Sequence, residues 1–455
     1  MPVNTLHADY QAHEVKAQRV RDAVAGTDAI KAKGDTYLRN PDPEDKKRFE
    51  EYKDGAQWLG VTKRTHEWMQ GAMFRKAPEA ELPAAIEYLL YNADGTGQSL
   101  AQFSRNVTSQ TIINGRHGVL VEYPPAEPGM TREQSAGLQA TLKPYASQSI
   151  INWRRNGDKL ALVVLRETYD LPIDEFKSES KEQFRVLSLD EAGLYLQRLF
   201  REGEEVSRIE PRTASGSRWL VIPFQFVGVV NNDEVPDNPL LLDLADANIG
   251  HFRNSADVEE SAFVISQPMI HVDIGEANAD EWTELNPNGI TVGSRRGIQT
   301  KGGRVEMVQA EERNLSLKLM EHKEAQMLAI GARLIEQKAG NETAEAVKAR
   351  SGSDTANLST VADNVSDALE NCLEWAALFM TSADVFKQIR FRINQQFYEQ
   401  TADPQEIMAR IAELDRGLIA KADYRNWRRR TGGIEPERTD EDIDTEAEIT
   451  GLTLQ

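Results

Sequence analysis

The chain has one cysteine, Cys372, in 455 residues. A lone thiol excludes an internal disulfide framework, and that usage fits a reducing compartment. Cys372 falls on an apolar helical face, so it reads as a small core residue and not as a thiol catalyst. No apolar run approaches the roughly 20 residues that a membrane span needs. The opening segment, MPVNTLHADYQAHEVKAQRV, holds no apolar signal core, so export is not expected. Histidine is scarce: seven, at 7, 13, 66, 117, 251, 271 and 322, without metal-ligand spacing. His251 and His322 sit inside helical patterns and read as helix-surface residues.

Catalytic signatures are missing too. There is no HExxH, no paired CxxC and no GxSxG. Gly297-Ile-Gln-Thr-Lys-Gly-Gly303 has the glycines of a phosphate loop but lacks its Gly-Lys-Ser/Thr ending, so it reads as a β-turn. Acid pairs such as Glu259-Glu260 and Glu311-Glu312 read as solvated faces. A hidden acid/base pair stays open as an alternative, because such pairs follow no spacing rule.

Basic charge is also in deficit, with 53 Lys and Arg against 73 Asp and Glu, a net charge of −20. An ordinary acidic cytosolic protein has such a balance. It also argues against a broad grip on nucleic acid, which is built from many Lys and Arg contacts to phosphate. An acidic wall would repel phosphate and leave a duplex free to slide. The basic clusters are few: Arg295-Arg296 with Lys301 and Arg304, then Lys338, Lys348 and Arg350, then Arg425 with Arg428-Arg429-Arg430.

What the chain does contain is an ordinary globular composition, 40% hydrophobic and 28% charged, with two long amphipathic patterns between Glu311 and Met380. The first carries Leu317, Met320, Met327, Leu328, Gly331, Leu334 and Ile335. The second carries Leu358, Val361, Ala362, Val365, Ala368, Leu369, Cys372, Leu373, Ala376 and Phe379. Spacings of three and four put each set on one helical face. A polar break, Gly340 to Gly352, separates them.

Upstream, helices are predicted over 8–33, from Pro43, over Thr62–Phe74, Pro83–Tyr91 and Ser99–Asn114. A strand at Val119–Tyr123 and a proline-rich turn at Pro124–Gly129 follow. A β-rich block then holds Leu160–Glu167, Phe184–Leu189 and Leu194–Phe200, with a hairpin turn at Asp190–Gly193. Trp219–Val230 reads as a strand that Pro223 places at an edge or a bulge. Asn231–Pro239 is a loop and Asn238–Phe263 one helix. Met269–Ile274, Gly289–Val292 and Val305–Val308 read as short strands, and Val385–Ile393 has strand character. Gln405–Ile411 and Lys421–Arg429 read as short helices, and Glu435–Glu448 as a poorly ordered acidic tail.

Several phrases resemble the portal proteins of tailed bacteriophages, in particular a portal-like branch. They include Asn238-Pro-Leu-Leu-Leu-Asp-Leu-Ala-Asp-Ala-Asn-Ile-Gly-His-Phe-Arg-Asn-Ser-Ala-Asp257, Ala329-Ile-Gly-Ala-Arg-Leu-Ile335 with Glu342-Thr-Ala-Glu-Ala346, and Ser359-Thr-Val-Ala-Asp-Asn-Val-Ser-Asp-Ala-Leu369. Asp415-Arg-Gly-Leu-Ile-Ala-Lys421 with Trp427-Arg-Arg-Arg430, and Gly71-Ala-Met-Phe-Arg-Lys-Ala-Pro78, add to them.

The resemblance implies an α+β, mostly helical, portal-like fold. Residues 1–235 would form a wing, 236–263 and 311–337 two stem helices, and 264–310 a small β-containing clip. Residues 338–352 would form a tunnel loop, 353–400 a long helix returning to the wing, and 401–455 a short helical crown with an acidic tail. It further implies a homo-oligomeric ring of about twelve subunits at a capsid vertex of the virion, assembled in the host cytoplasm. Double-stranded DNA would be packaged and ejected through it without sequence specificity. Its partners would be the major capsid protein, the terminase large subunit and later a head–tail adaptor, with no membrane contact.

Such rings hydrolyse nothing, so no catalytic residue, metal or cofactor is expected. Lys338, Lys348 and Arg350 would meet DNA in the channel. Arg295, Arg296, Lys301 and Arg304 would form the partner-docking surface of the clip. The residues agree in three respects: Glu311–Gln337 at 1.5 Å per residue spans about 40 Å, long enough for a channel stem; its Ala325, Ala329, Gly331 and Ala332 suit close packing of like helices; and an acidic chain can surround DNA without gripping it. Two other classes stay open, a soluble α/β enzyme with an unrecognised acid/base site and another virion structural adaptor. An enzyme needs one concave pocket with converging polar groups, whereas a ring needs apolar faces left for neighbours.

Overall fold

The computed structural model describes residues 2–40, 43–124, 138–266, 269–276, 278–287, 289, 298–308, 315–335, 344–395, 397, 404–435 and 438–449. Helices α1 (Ala8–Ala25), α2 (Thr27–Ala32), α3 (Lys46–Gly55), α4 (Val61–Met73) and α5 (Leu100–Asn114) come first. The helix predicted from Pro43 starts later because Asp45 is the residue that caps it, accepting from the Arg48 N–H at 3.0 Å. Ser99 caps α5 in the same way, and Gly115 ends it with a left-handed φ of 75° and an N–H bonded to the Thr111 carbonyl. The helix expected over Pro83–Tyr91 shrinks to one 3₁₀ turn, Glu87–Leu90.

Among the described residues four antiparallel sheets follow. Strands β1 (Glu79–Glu81) and β12 (Arg390–Arg392) pair across most of the chain length. Strands β2 (Arg116–Glu122), β3 (Thr141–Ala146) and β9 (Phe224–Gly228) form a sheet in the order β3-β2-β9. β9 is therefore an edge, one of the two places expected from Pro223, which stands just before it. Strands β4 (Ile150–Asn156), β5 (Lys159–Pro172), β6 (Ser178–Leu189), β7 (Tyr195–Arg201) and β8 (Glu204–Ile209) make a five-stranded meander. The predicted turn at Asp190 closes the β6–β7 hairpin, the Asp190 side chain accepting from the N–H groups of Ala192 and Leu194. Strands β10 (Met269–Val272) and β11 (Val305–Val308) form the last pair. The proline-rich turn and much of Gly289–Val292 lie outside the described residues.

Between and after the sheets run α6 (Leu242–Ile265), α7 (Ala279–Leu285), α8 (Leu315–Ile335), α9 (Ala344–Met380), α10 (Pro404–Asp415), α11 (Lys421–Arg430) and α12 (Asp440–Ile449). The fold is mixed α+β, as expected. The core forms where α9 lies against β2, β9 and α5. Leu358, Val361, Ala362, Val365, Ala368, Leu369, Cys372, Leu373 and Ala376 are all buried on that face. Full burial of each large aliphatic side chain is worth about 1.5–3 kcal/mol. Phe379 closes the end, 4.4 Å from Trp219 and 5.5 Å from Tyr123 between ring centres.

Two expectations change. The polar break expected over Gly340 to Gly352 is shorter, because α9 begins at Ala344 and takes Gly352 into a helix. Ala344, Ala346, Lys348, Ala349 and Arg350 are strong helix formers, and they outweigh one glycine at about 1 kcal/mol. The acidic tail is helical from Asp440 to Ile449 and does not read as disordered. Its first turn holds Asp440, Glu441 and Asp442, which suit a helix N-terminus.

Candidate functional surfaces

The residues of α6 change environment half-way along. Leu244, Ala245, Asn248, Ile249, Phe252, Ser255 and Ala256 are buried. The fully buried Asn248 amide donates to the Leu59 carbonyl at 2.8 Å and the Thr62 hydroxyl at 3.1 Å, which fixes α6 to the start of α4. Past Ala256 the helix leaves this cover, and Phe263 is 60% exposed.

Helix α8 mirrors this. Its C-terminal half lies on the body, with Met327 and Gly331 buried and Gly331 against Thr65. Leu315, Leu317, Leu319 and Leu328 are exposed, Leu315 and Leu328 by about two thirds. Two polar links hold α8 to α6. The Lys323 ammonium donates to the Gly250 carbonyl at 2.9 Å and to Asn254 at 2.5 Å. His251 Nε2 meets Glu324 at 3.0 Å. His251 was expected on a helix surface; it is buried, because α8 covers it. His322, by contrast, is exposed.

The segment joining α6 to α8 carries β10, α7 and β11. Asn278 caps α7, and Asn286 accepts from the Gln299 N–H while its amide donates to the Gln299 carbonyl. Gly303 sits against the Asp273 carbonyl where a Cβ would collide, so this tight crossing requires glycine. Val305 and Met307 share one exposed face of β11.

Of the four basic residues expected here, Arg295 and Arg296 lie outside the described residues. Lys301 pairs with Glu281 at 3.4 Å and Arg304 approaches Glu306 at 3.9 Å, all four side chains well exposed. Of the three expected in the channel loop, Lys338 lies outside the described residues. Lys348 and Arg350 belong to the first turns of α9 and not to a loop.

Sequence reasoning missed a buried basic knot under the meander. Arg116 is 1% exposed, yet no carboxylate bonds it. It donates to the carbonyls of Glu234 and Ile150, at 3.2 and 3.1 Å, and lies 4.2 Å from the Trp153 ring, whose other neighbour is His7. Burial lowers the Arg116 pKa to about 9. Burial, then the Arg116 charge, lowers that of His13 to about 4, and burial alone lowers that of His117 to about 3. No spacing in the sequence announces this knot, since its parts come from α1, β2, β4 and the 231–239 loop.

Among the described residues a wide, open cleft of about 770 Å³ lies beside Glu435, Arg438, Asp442 and Glu446, and a more enclosed cavity of about 220 Å³ is lined by residues including Arg155, Lys159, Phe224, Glu234 and Trp375. The enclosed cavity is below the usual 300–1,000 Å³ of small-molecule sites, and Arg155 and Glu234 are paired at 3.3 Å. Among the described residues no group of three or more His, Cys, Asp or Glu could hold a metal ion. No helix of the described residues is long and apolar enough to cross a membrane.

A family model described as a domain of unknown function (DUF4055) matches residues 239–380. The match starts just before α6 and ends with α9, so it takes in the helix pair, the segment between them and the long core helix, less than half of the chain. No curated protein matches the chain. Among solved structures, the chain is similar to one described as the neck of a native GTA particle computed with C12 symmetry (13% identity, 81% of this chain and 89% of that one, TM-score 0.41). It is also similar to a chain from the virion of a native gene transfer agent particle (12% identity, 88% and 98% covered, TM-score 0.42). A third is the neck of an empty GTA particle computed with C6 symmetry (14% identity, 90% and 99% covered, TM-score 0.43).

Proposed function

We propose that this chain is the portal subunit of a tailed-phage-type particle, a structural protein and not an enzyme. About twelve copies would close a ring at one capsid vertex. Double-stranded DNA would enter through it under a terminase motor and leave through it once a head–tail adaptor is docked. The observation that carries this reading is the α6–α8 pair, which leaves the body with its apolar side chains uncovered and a small β-containing unit at its far end. A monomer gains nothing from exposing Phe263, Leu315, Leu319 and Leu328, whereas like helices in a ring would bury them. Head-to-tail contacts of one patch against a different one close rings when the rotation permits.

On this reading α6 and α8 are the stem and the β10–α7–β11 segment is the clip. Arg295, Arg296, Lys301 and Arg304 would then be repeated around the channel mouth, where weak contacts to a motor or adaptor gain avidity. Lys338, Lys348 and Arg350 would face the channel around the α8–α9 connection. A net charge of −20 per chain suits a conduit that surrounds DNA without gripping it. Light scattering on the purified chain tests the reading. The expected mass is about twelve times the 51.0 kDa of one chain. Monomer alone over a broad range of concentration and salt overturns it.

A further inference from the structure

A strongly basic helix of this acidic chain is covered by the chain's own acidic segment. Helix α11 reads Lys421-Ala-Asp-Tyr-Arg-Asn-Trp-Arg-Arg-Arg430, and α12 opens with Asp440-Glu-Asp-Ile-Asp-Thr-Glu446. Arg425 and Arg429 are four residues apart and share a face of α11; Asp440 and Asp444 do the same on α12. They meet as a ladder: Arg425 with Asp444, Arg429 with Asp440, and Arg425 also 3.9 Å from Asp440. Arg438, just before α12, pairs with Glu446.

Charge holds this contact. Among the described side chains of α12, residues 440–446, none is fully buried, and Ile443 is the apolar one, half-buried. The two arginine side chains are largely covered, but their acidic partners Asp440 and Asp444 stay 38% and 60% exposed, so salt and water reach the pairs from the α12 side. Helix α11 also meets α10 apart from α12: the Trp427 ring lies 5.8 Å from the Arg410 guanidinium. The basic face therefore keeps its place if α12 lifts away.

We propose that α12 is a releasable mask, and that the Arg425–Arg429 face beneath it is a binding surface for duplex DNA. The resting occupant shows the chemistry that the surface accepts, a row of anionic oxygens. Duplex DNA carries one negative charge per roughly 1.7 Å of axis, a denser row than α12 offers, so it competes for the same guanidinium groups. That the polyanion is DNA rests on the function proposed above.

Fluorescence anisotropy with a labelled duplex of arbitrary sequence tests this on the full chain. The Asp440→Asn/Asp444→Asn variant should bind about tenfold more tightly, with a salt dependence steeper by about two phosphate contacts. Glu435→Gln/Glu441→Gln removes the same charge from two exposed carboxylates outside the ladder, and should give no such gain. Adding Arg425→Gln/Arg429→Gln to the first variant should abolish the gain. No gain in the first variant, an equal gain in the control, or a gain that survives loss of both arginines overturns the mask. Light scattering on the same samples separates the two readings. A monomer that shows the gain keeps the mask and sinks the ring; a ring that shows none does the reverse.

Discussion

Among single residues, burial has the largest consequences where it catches a titratable group. His117 has both ring nitrogens buried without a partner, and His13 lies beside the Arg116 charge. Both are held neutral, with folded pKa values of about 3 and about 4 against 6.5 in the open chain. The unfolded chain therefore binds more protons below pH 6.5. The stability of a group with a lowered pKa is complete above that value and falls as the pH drops towards the folded pKa. At pH 5.5 each imidazole should withdraw about 1.4 kcal/mol. Urea unfolding at pH 7.5 and pH 5.5 should show the combined loss, and His117→Phe should remove about half of it. Equal stability at the two pH values would contradict this reading of the knot. Cys372 behaved as its surroundings suggested, buried in the core with its thiol pKa raised by burial. His251 did not, because its helical pattern says which face it occupies and not whether another helix covers that face.

For elements, what could be read from the sequence was whatever is decided locally. The caps of α5, the turn at Asp190 and the apolar stripe of α9 each sit within a few residues of one another, and each was legible. The strands β3, β4 and β8 were not, because they are short or polar and depend on partners already in the sheet. The β1–β12 pair joins residues some 310 positions apart, which no local pattern encodes. The α6–α8 contact was half legible: both helices were expected, while the Lys323 link between them was not. Burial lowers the Lys323 pKa, as expected of an ammonium drawn into that contact. Lys323→Ala removes both charge-assisted hydrogen bonds, at a cost of about 1–3 kcal/mol. Amide exchange should quicken over 257–265 and 315–322, where the pair leaves the body, and stay unchanged over 358–377. Uniform quickening throughout would mean that Lys323 supports the whole fold and not this pair alone.

For the whole molecule, one body built on α9 carries a helix pair whose apolar surface it does not cover. A solvated monomer has no use for that surface, and a ring of like subunits has. The candidate site was the least legible level, since a channel or a docking rim belongs to an assembly and its charges follow no spacing rule within one chain. Lys301 and Arg304 illustrate the point. Each is exposed and loosely paired here, and only repetition about an axis would make them a rim. Electron microscopy of the purified chain, averaged end-on, tests that central claim most directly. The account predicts closed rings with an axial hole wide enough for a DNA duplex and with α6 and α8 packed between neighbours. Monomers, or closed dimers with no axial hole, would contradict it.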